Sequence, residues 1–173
     1  MSIEKISFEN ARGVKLAANL ELPNGRRPHN YAIFAHCFTC NKNFNAVRHI
    51  SSALASKGFG VLCFDFTGLG ESEGEFADTN FSGSIGDLIA AAEYLKNNYR
   101  APSVIVGHSL GGAASLLAAS QLEEIKAVAT IGSRRRDADE DARSAFDFKR
   151  HQKSAARRDD DRAEMHRRLE HNS

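Results

Sequence analysis

The stretch SVIVGHSLGGAAS, Ser103 to Ser115, decides how this chain is read. Three apolar, β-branched residues run into a glycine-framed serine, and small residues with helical tolerance follow. The pentapeptide Gly107 to Gly111 fits G-x-S-x-G, the pattern of a strand-to-helix turn that mounts a nucleophile. In so tight a turn the hydroxyl of Ser109 projects above the sheet edge. Side chains two positions either side would collide, which accounts for Gly107 and Gly111. The helix that begins here turns its positive end toward any negative charge developing at the serine. Gly112, Ala113 and Ala114 let that helix pack close to the sheet.

Working outward, strands and helices alternate. "KISFEN" and "VKLAANLEL" predict two antiparallel strands around "ARG". "YAIFAHC", "FGVLCFDF", "SVIVG" and "IKAVATIG" are short apolar runs of β character, the mark of buried strands. Between them, "NFNAVRHISSALASKG" places Phe44, Val47, Ile50 and Leu54 on one helical face, with Gly58 as a left-handed terminator. A second helix begins near Phe81, with Ile85, Leu88, Ile89, Ala92 and Leu95 as its apolar positions and Ser84 and Asp87 as a capping box. Apolar strands alternating with helices predict an α/β fold, a mostly parallel sheet with helices on both faces.

Composition narrows the class and exposes a break. The 173 residues suffice for one domain, and the formal net charge of +1 gives no bulk attraction to nucleic acid or membrane. No signal-peptide pattern opens the sequence and no run of apolar residues reaches membrane-spanning length, so a cytoplasmic location is expected. Three cysteines, Cys37, Cys40 and Cys63, argue against a secreted disulfide framework. All 13 glycines and all three prolines precede Ser133, whereas 22 of the last 40 residues are charged. Residues 1–133 therefore read as a partial domain and residues 134–173 as a charge-rich tail, disordered or loosely helical, outside the fold. Its arginines are nearly balanced by acids, which disfavours nucleic-acid binding.

A second motif, "FAHCF", ends the strand at His36. Acyl transfer needs two donors for the oxyanion that forms on the attacked carbonyl. The backbone N–H of Leu110, following the nucleophile, is one. The N–H of Phe38, in the loop after His36, is the other, and His36 braces that loop. At this point the chain resembles the α/β-hydrolase superfamily. Its "HCFTCNKN", "DFTGLGESEG" and "GHSLGG" are similar to the hydrolase domain that some bacterial proteins carry ahead of an OsmC-like domain. The resemblance covers about residues 1–133. It implies a serine hydrolase acting on a small-molecule ester, thioester or amide through an acyl-enzyme on Ser109, without a cofactor. Two departures stand out: Thr67 where the wider family has Arg, and Cys37 where it has Gly.

The superfamily places its acid and histidine after the nucleophile in chain order. Here the recognisable fold ends at Gly132 or Ser133, ahead of the usual positions, and the abrupt change in residue usage resembles a frame shift or truncation. Asp137, Asp139, Asp141, His151, His166 and His171 are the residues left, in a segment poorly suited to hold a base within roughly 3 Å of a hydroxyl. Impaired catalysis is the expectation. The alternatives are a non-catalytic product or binding module that keeps the fold, and a thiol redox role for the C-x-x-C pair Cys37 and Cys40. A metal site is not expected, since Cys37, Cys40 and His36 would want a fourth ligand and no second pair exists.

Overall fold

The computed structural model describes residues 1–37, 40–75 and 79–132. The boundary at residue 133, the tail 134–173 and Phe38 lie outside the described residues.

Six strands form one sheet in the order β1-β2-β4-β3-β5-β6. β1 (Ser2–Glu9) and β2 (Lys15–Leu22) form the antiparallel hairpin expected at the N-terminus, with Phe8 opposite Leu16. β2 also pairs antiparallel with β4 (Phe59–Phe64). β4, β3 (Asn30–Ala35), β5 (Val104–His108) and β6 (Ala127–Ile131) are parallel neighbours. The crossovers carry α1 (Asn45–Ser56), α2 (Phe81–Asn98) and α3 (Leu110–Ala119).

Alternation along the central strands builds two apolar layers. Phe34, Val61, Cys63 and Val106 face α1, where Val47 packs among them. Ile33, Leu62 and Ile105, all fully buried, point the other way, toward α2 and α3, which touch each other. Phe64 shares that second face: its ring meets Phe8, and Phe8 stacks on Tyr94 of α2. The α/β-hydrolase arrangement of sheet and helices expected from the sequence is present.

Three details differ from the sequence reading. Phe44 is half exposed because it is the N-cap of α1; the buried face runs through Val47, Ser51 and Ala55, with Ile50 and Leu54 at its margin. The cap of α2 is Asn80, whose side chain accepts from Gly83 N–H at 2.7 Å, so Ser84 and Asp87 form no capping box. Ser84 lies inside the helix, and Asp87 is turned inward to a buried polar cluster described below. Finally, β6 is not a covered strand among the described residues. Ala127, Ala129, Thr130 and Ile131 are exposed, because β6 pairs only with β5 there. The prediction for Gly58 stands: its φ is +95° and its N–H closes on Ala55 O at the end of α1.

Candidate active site

The carboxyl ends of β3, β4 and β5 deliver His36, Asp65 and Ser109 to one edge of the sheet, the edge where open α/β sheets bind ligands. Ser109 caps α3 with φ 53° and ψ −119°. Among the described residues it is the one non-glycine with positive φ. Such backbone is stored strain of order 1–3 kcal/mol, held by the surroundings. Ser109 N–H donates to Ile131 O and Ser109 O accepts from Gly112 N–H, both at 2.9 Å, so the turn is fixed from both sides. The residue is exposed.

The flanking glycines are there for space. A Cβ on Gly107 would meet Gly112 Cα at 2.5 Å and Gly111 O at 2.6 Å. A Cβ on Gly111 would meet Ala35 O at 2.4 Å and His36 O at 2.5 Å. These separations lie far inside van der Waals contact, so both positions are closed to any side chain. Leu110 opens α3, where backbone N–H groups have no partner within the helix.

His36 is fully buried. Its Nδ1 donates to Cys37 O at 2.6 Å, and its Nε2 stands 3.4 Å from Asp65 Oδ1. Nδ1 is thus hydrogen-bonded inside the protein, whereas Nε2 lies near the Asp65 carboxylate without making a hydrogen bond. Asp65 is also fully buried. It accepts from Lys42 N–H and Lys42 Nζ, each at 2.6 Å, and from Glu71 N–H at 3.0 Å. Burial alone would push its carboxyl up; His36, Lys42 and the backbone N–H groups of Glu71 and Lys42 outweigh that and hold it at about 2. Asp65 therefore ties the loop after β3 to the loop after β4. Lys42, equally buried, has a second partner in Glu71 at 3.1 Å. In the same loop, Gly70 has φ +57°, and a Cβ there would meet Asp65 Oδ2 at 2.3 Å.

The departure at Thr67 has a structural answer. Thr67 Oγ1 accepts from Arg12 Nη2 at 3.2 Å and donates to Asp87 Oδ1 at 3.0 Å. Asn10 Nδ2 donates to Asp87 at 2.7 Å. A guanidinium from the β1–β2 turn thus contacts Thr67, the position at which the sequence resemblance leads one to expect arginine. Only an inter-element contact reveals this, and no local motif signals it.

Cys37 and Cys40 form a disulfide, with Cα atoms 5.2 Å apart. Cys40 N–H also donates to Cys37 O at 3.1 Å. Cys63 is free, buried in β4, and hydrogen-bonded to Ser51 Oγ at 2.9 Å; burial pushes its thiol up to about 12. His108, at the end of β5, has a ring nitrogen that lies with the two sulfurs in a group whose members are all within 4.8 Å of one another. The third donor beside the cysteines is therefore His108, not His36. His49 lies exposed on α1.

The family model for serine aminopeptidase S33 matches residues 28–155. The chain belongs to this family of α/β-hydrolases. Solved structures similar to it include three hydrolases. The esterase domain of a Rhodothermus marinus protein is 50% identical, with 77% of this chain aligned to 51% of that one at a TM-score of 0.64. A Pyrococcus furiosus esterase is 25% identical over 75% of this chain and 49% of its own, with a TM-score of 0.66. A lidless α/β serine hydrolase from Xanthomonas campestris is 25% identical over 80% and 65%, with a TM-score of 0.69. The chain thus spans about half the length of the first two. No curated protein sequence matches it. Among the described residues no helix is long and apolar enough to cross a membrane.

Proposed function

We propose that Ser109 is the nucleophile of an acyl hydrolase acting on a small-molecule ester, thioester or amide. Its Oγ forms a bond to the carbonyl carbon, the carbonyl oxygen takes negative charge, and the leaving group departs with a proton. Water then releases the acid from the acyl-enzyme. The N–H groups of Leu110 and Phe38 are the oxyanion donors in this reading. Ser109 itself carries the argument: a strained, exposed serine between two glycines with no room for a side chain, at the carboxyl edge of a parallel sheet. The esterase names of its structural relatives support the same reaction class.

The histidine and acid that complete such a site come after the nucleophile in this superfamily. In this chain those candidates are His151, His166 and His171 with Asp137, Asp139 and Asp141, all outside the described residues. Their segment has only Phe146, Phe148, Met165 and Leu169 as large apolar anchors, so we propose that turnover is weak. Hydrolysis of p-nitrophenyl acetate tests both parts. A low rate abolished by Ser109→Ala is expected. A rapid rate lost in one of His151→Ala, His166→Ala or His171→Ala would show that the tail does hold a base. A rate unchanged by Ser109→Ala would overturn the assignment. The disulfide favours a second reading, thiol–disulfide exchange at Cys37 and Cys40, which a Cys40→Ser variant would lose while keeping Ser109-dependent hydrolysis.

A further inference from the structure

We propose that Cys37, Cys40 and His108 form a redox-gated binding site for a thiophilic divalent cation, zinc in particular. The three donors come from two separate elements. Cys37 and Cys40 belong to the loop after β3, and His108 ends β5. Their ligand atoms converge within 4.8 Å of one another. Zinc bonds thiolate at about 2.3 Å and imidazole at about 2.0–2.1 Å, so tetrahedral geometry sets neighbouring donors about 3.5–3.8 Å apart. In the disulfide the two sulfurs are bonded to each other, so they reach that spacing only after reduction lets them separate.

The backbone also brings the two cysteines together. The hydrogen bond from Cys40 N–H to Cys37 O, 3.1 Å, keeps the backbones of the two cysteines beside each other. C-x-x-C is the spacing from which zinc-binding cysteine pairs act. The soft sulfurs select zinc over magnesium or calcium. With three protein ligands, the fourth position is left for water or an exogenous donor. The site differs from the C-x-x-C-plus-His36 set considered from sequence, because His36 is engaged with Cys37 O and Asp65.

Disulfide and metal exclude each other. A small dithiol reductant takes up the disulfide as its own and leaves two protein thiols on Cys37 and Cys40. Binding of the cation then releases one proton from each thiol. An oxidant that removes two electrons and re-forms the disulfide discharges the cation. When bound, the cation ties the loop after β3 to the end of β5, one residue from Ser109. The site itself does not depend on Ser109 being a nucleophile.

Cobalt(II) titration of the full chain tests this, because cobalt bound to thiolate gives an intense charge-transfer absorption in the near ultraviolet. The dithiol-reduced, desalted protein should bind one cobalt per chain with that band, and zinc should displace it. The oxidised protein should give no band, and Cys40→Ser should lose most of it. His108→Ala should weaken binding by more than about tenfold. Histidines elsewhere in the chain bind cobalt without producing this absorption. Cys63 is buried against Ser51 and is checked by Cys63→Ala, which should leave the band intact. Circular dichroism before and after reduction shows whether the fold persists, and the oxidised–reduced comparison requires no variant. Absence of the band in folded, reduced protein would overturn the proposal. So would a band of undiminished affinity in His108→Ala.

Discussion

Gly111 lies directly against the backbone carbonyl of Ala35, so close that a Cβ would meet its oxygen at 2.4 Å. The end of β3 and the start of α3 are thereby locked together, and with them the two segments that frame Ser109. The contact is with backbone, which cannot rotate away. Gly111→Ala should therefore cost about 3 kcal/mol, the upper end of the usual overpacking range. Gly86, in the interior of α2, has nothing within 4 Å of its would-be Cβ. Gly86→Ala should stabilise by about 0.5–1 kcal/mol. Urea unfolding of the two variants beside the parent checks the pair; equal effects of the same sign would refute the packing argument.

Strain at Ser109 makes a separate prediction. Its φ of 53° with ψ −119° is backbone that glycine adopts without cost. Ser109→Gly should raise stability by about 1 kcal/mol, the relieved strain exceeding glycine's extra chain entropy. Ser109→Ala keeps the Cβ and should change stability little. Thermal melts that rank Ala above Gly would show that the turn is not strained in solution.

Asp65 supports the loops around the site through charge. Replacing it with Asn removes the counter-charge from buried Lys42 and leaves the largely exposed Glu71 as its ion-pair partner among the described residues. A loss of about 3–5 kcal/mol is expected. The carboxyl is held at about 2, below its unfolded value, so the native state binds fewer protons in acid than the unfolded chain does. Its stabilisation is present in full above about pH 4 and fades as pH falls toward 2. Unfolding free energy measured across that window should fall more steeply in the parent than in Asp65→Asn. Parallel curves would contradict the assignment.

Much of this was legible in the sequence because single-stranded periodicity and glycine placement are local signals. The strand runs, the turn at Ser109 and the termination at Gly58 each follow from a few adjacent residues. What was not legible depends on contacts between distant segments. Asp87 resembles part of a helix cap, but its carboxylate accepts instead from Thr67 N–H and from Asn10, 77 residues away. Arg12 reaches Thr67 across 55 positions. His108 looks like a neighbour of Ser109, but its ring groups with Cys37 and Cys40, because successive residues around a sharp turn point apart. Phe44 joins the apolar face of α1 only if the helix includes it, and capping geometry excludes it.

The most direct measurement is the site of covalent modification by a fluorophosphonate, an electrophile that reports an activated serine. The full chain would be incubated until labelling is complete and the adduct located by peptide mass spectrometry. Slow labelling confined to Ser109 and abolished in Ser109→Ala is the expected result. An adduct spread over other serines, or labelling that persists in Ser109→Ala, would contradict the claim that Ser109 is the nucleophile.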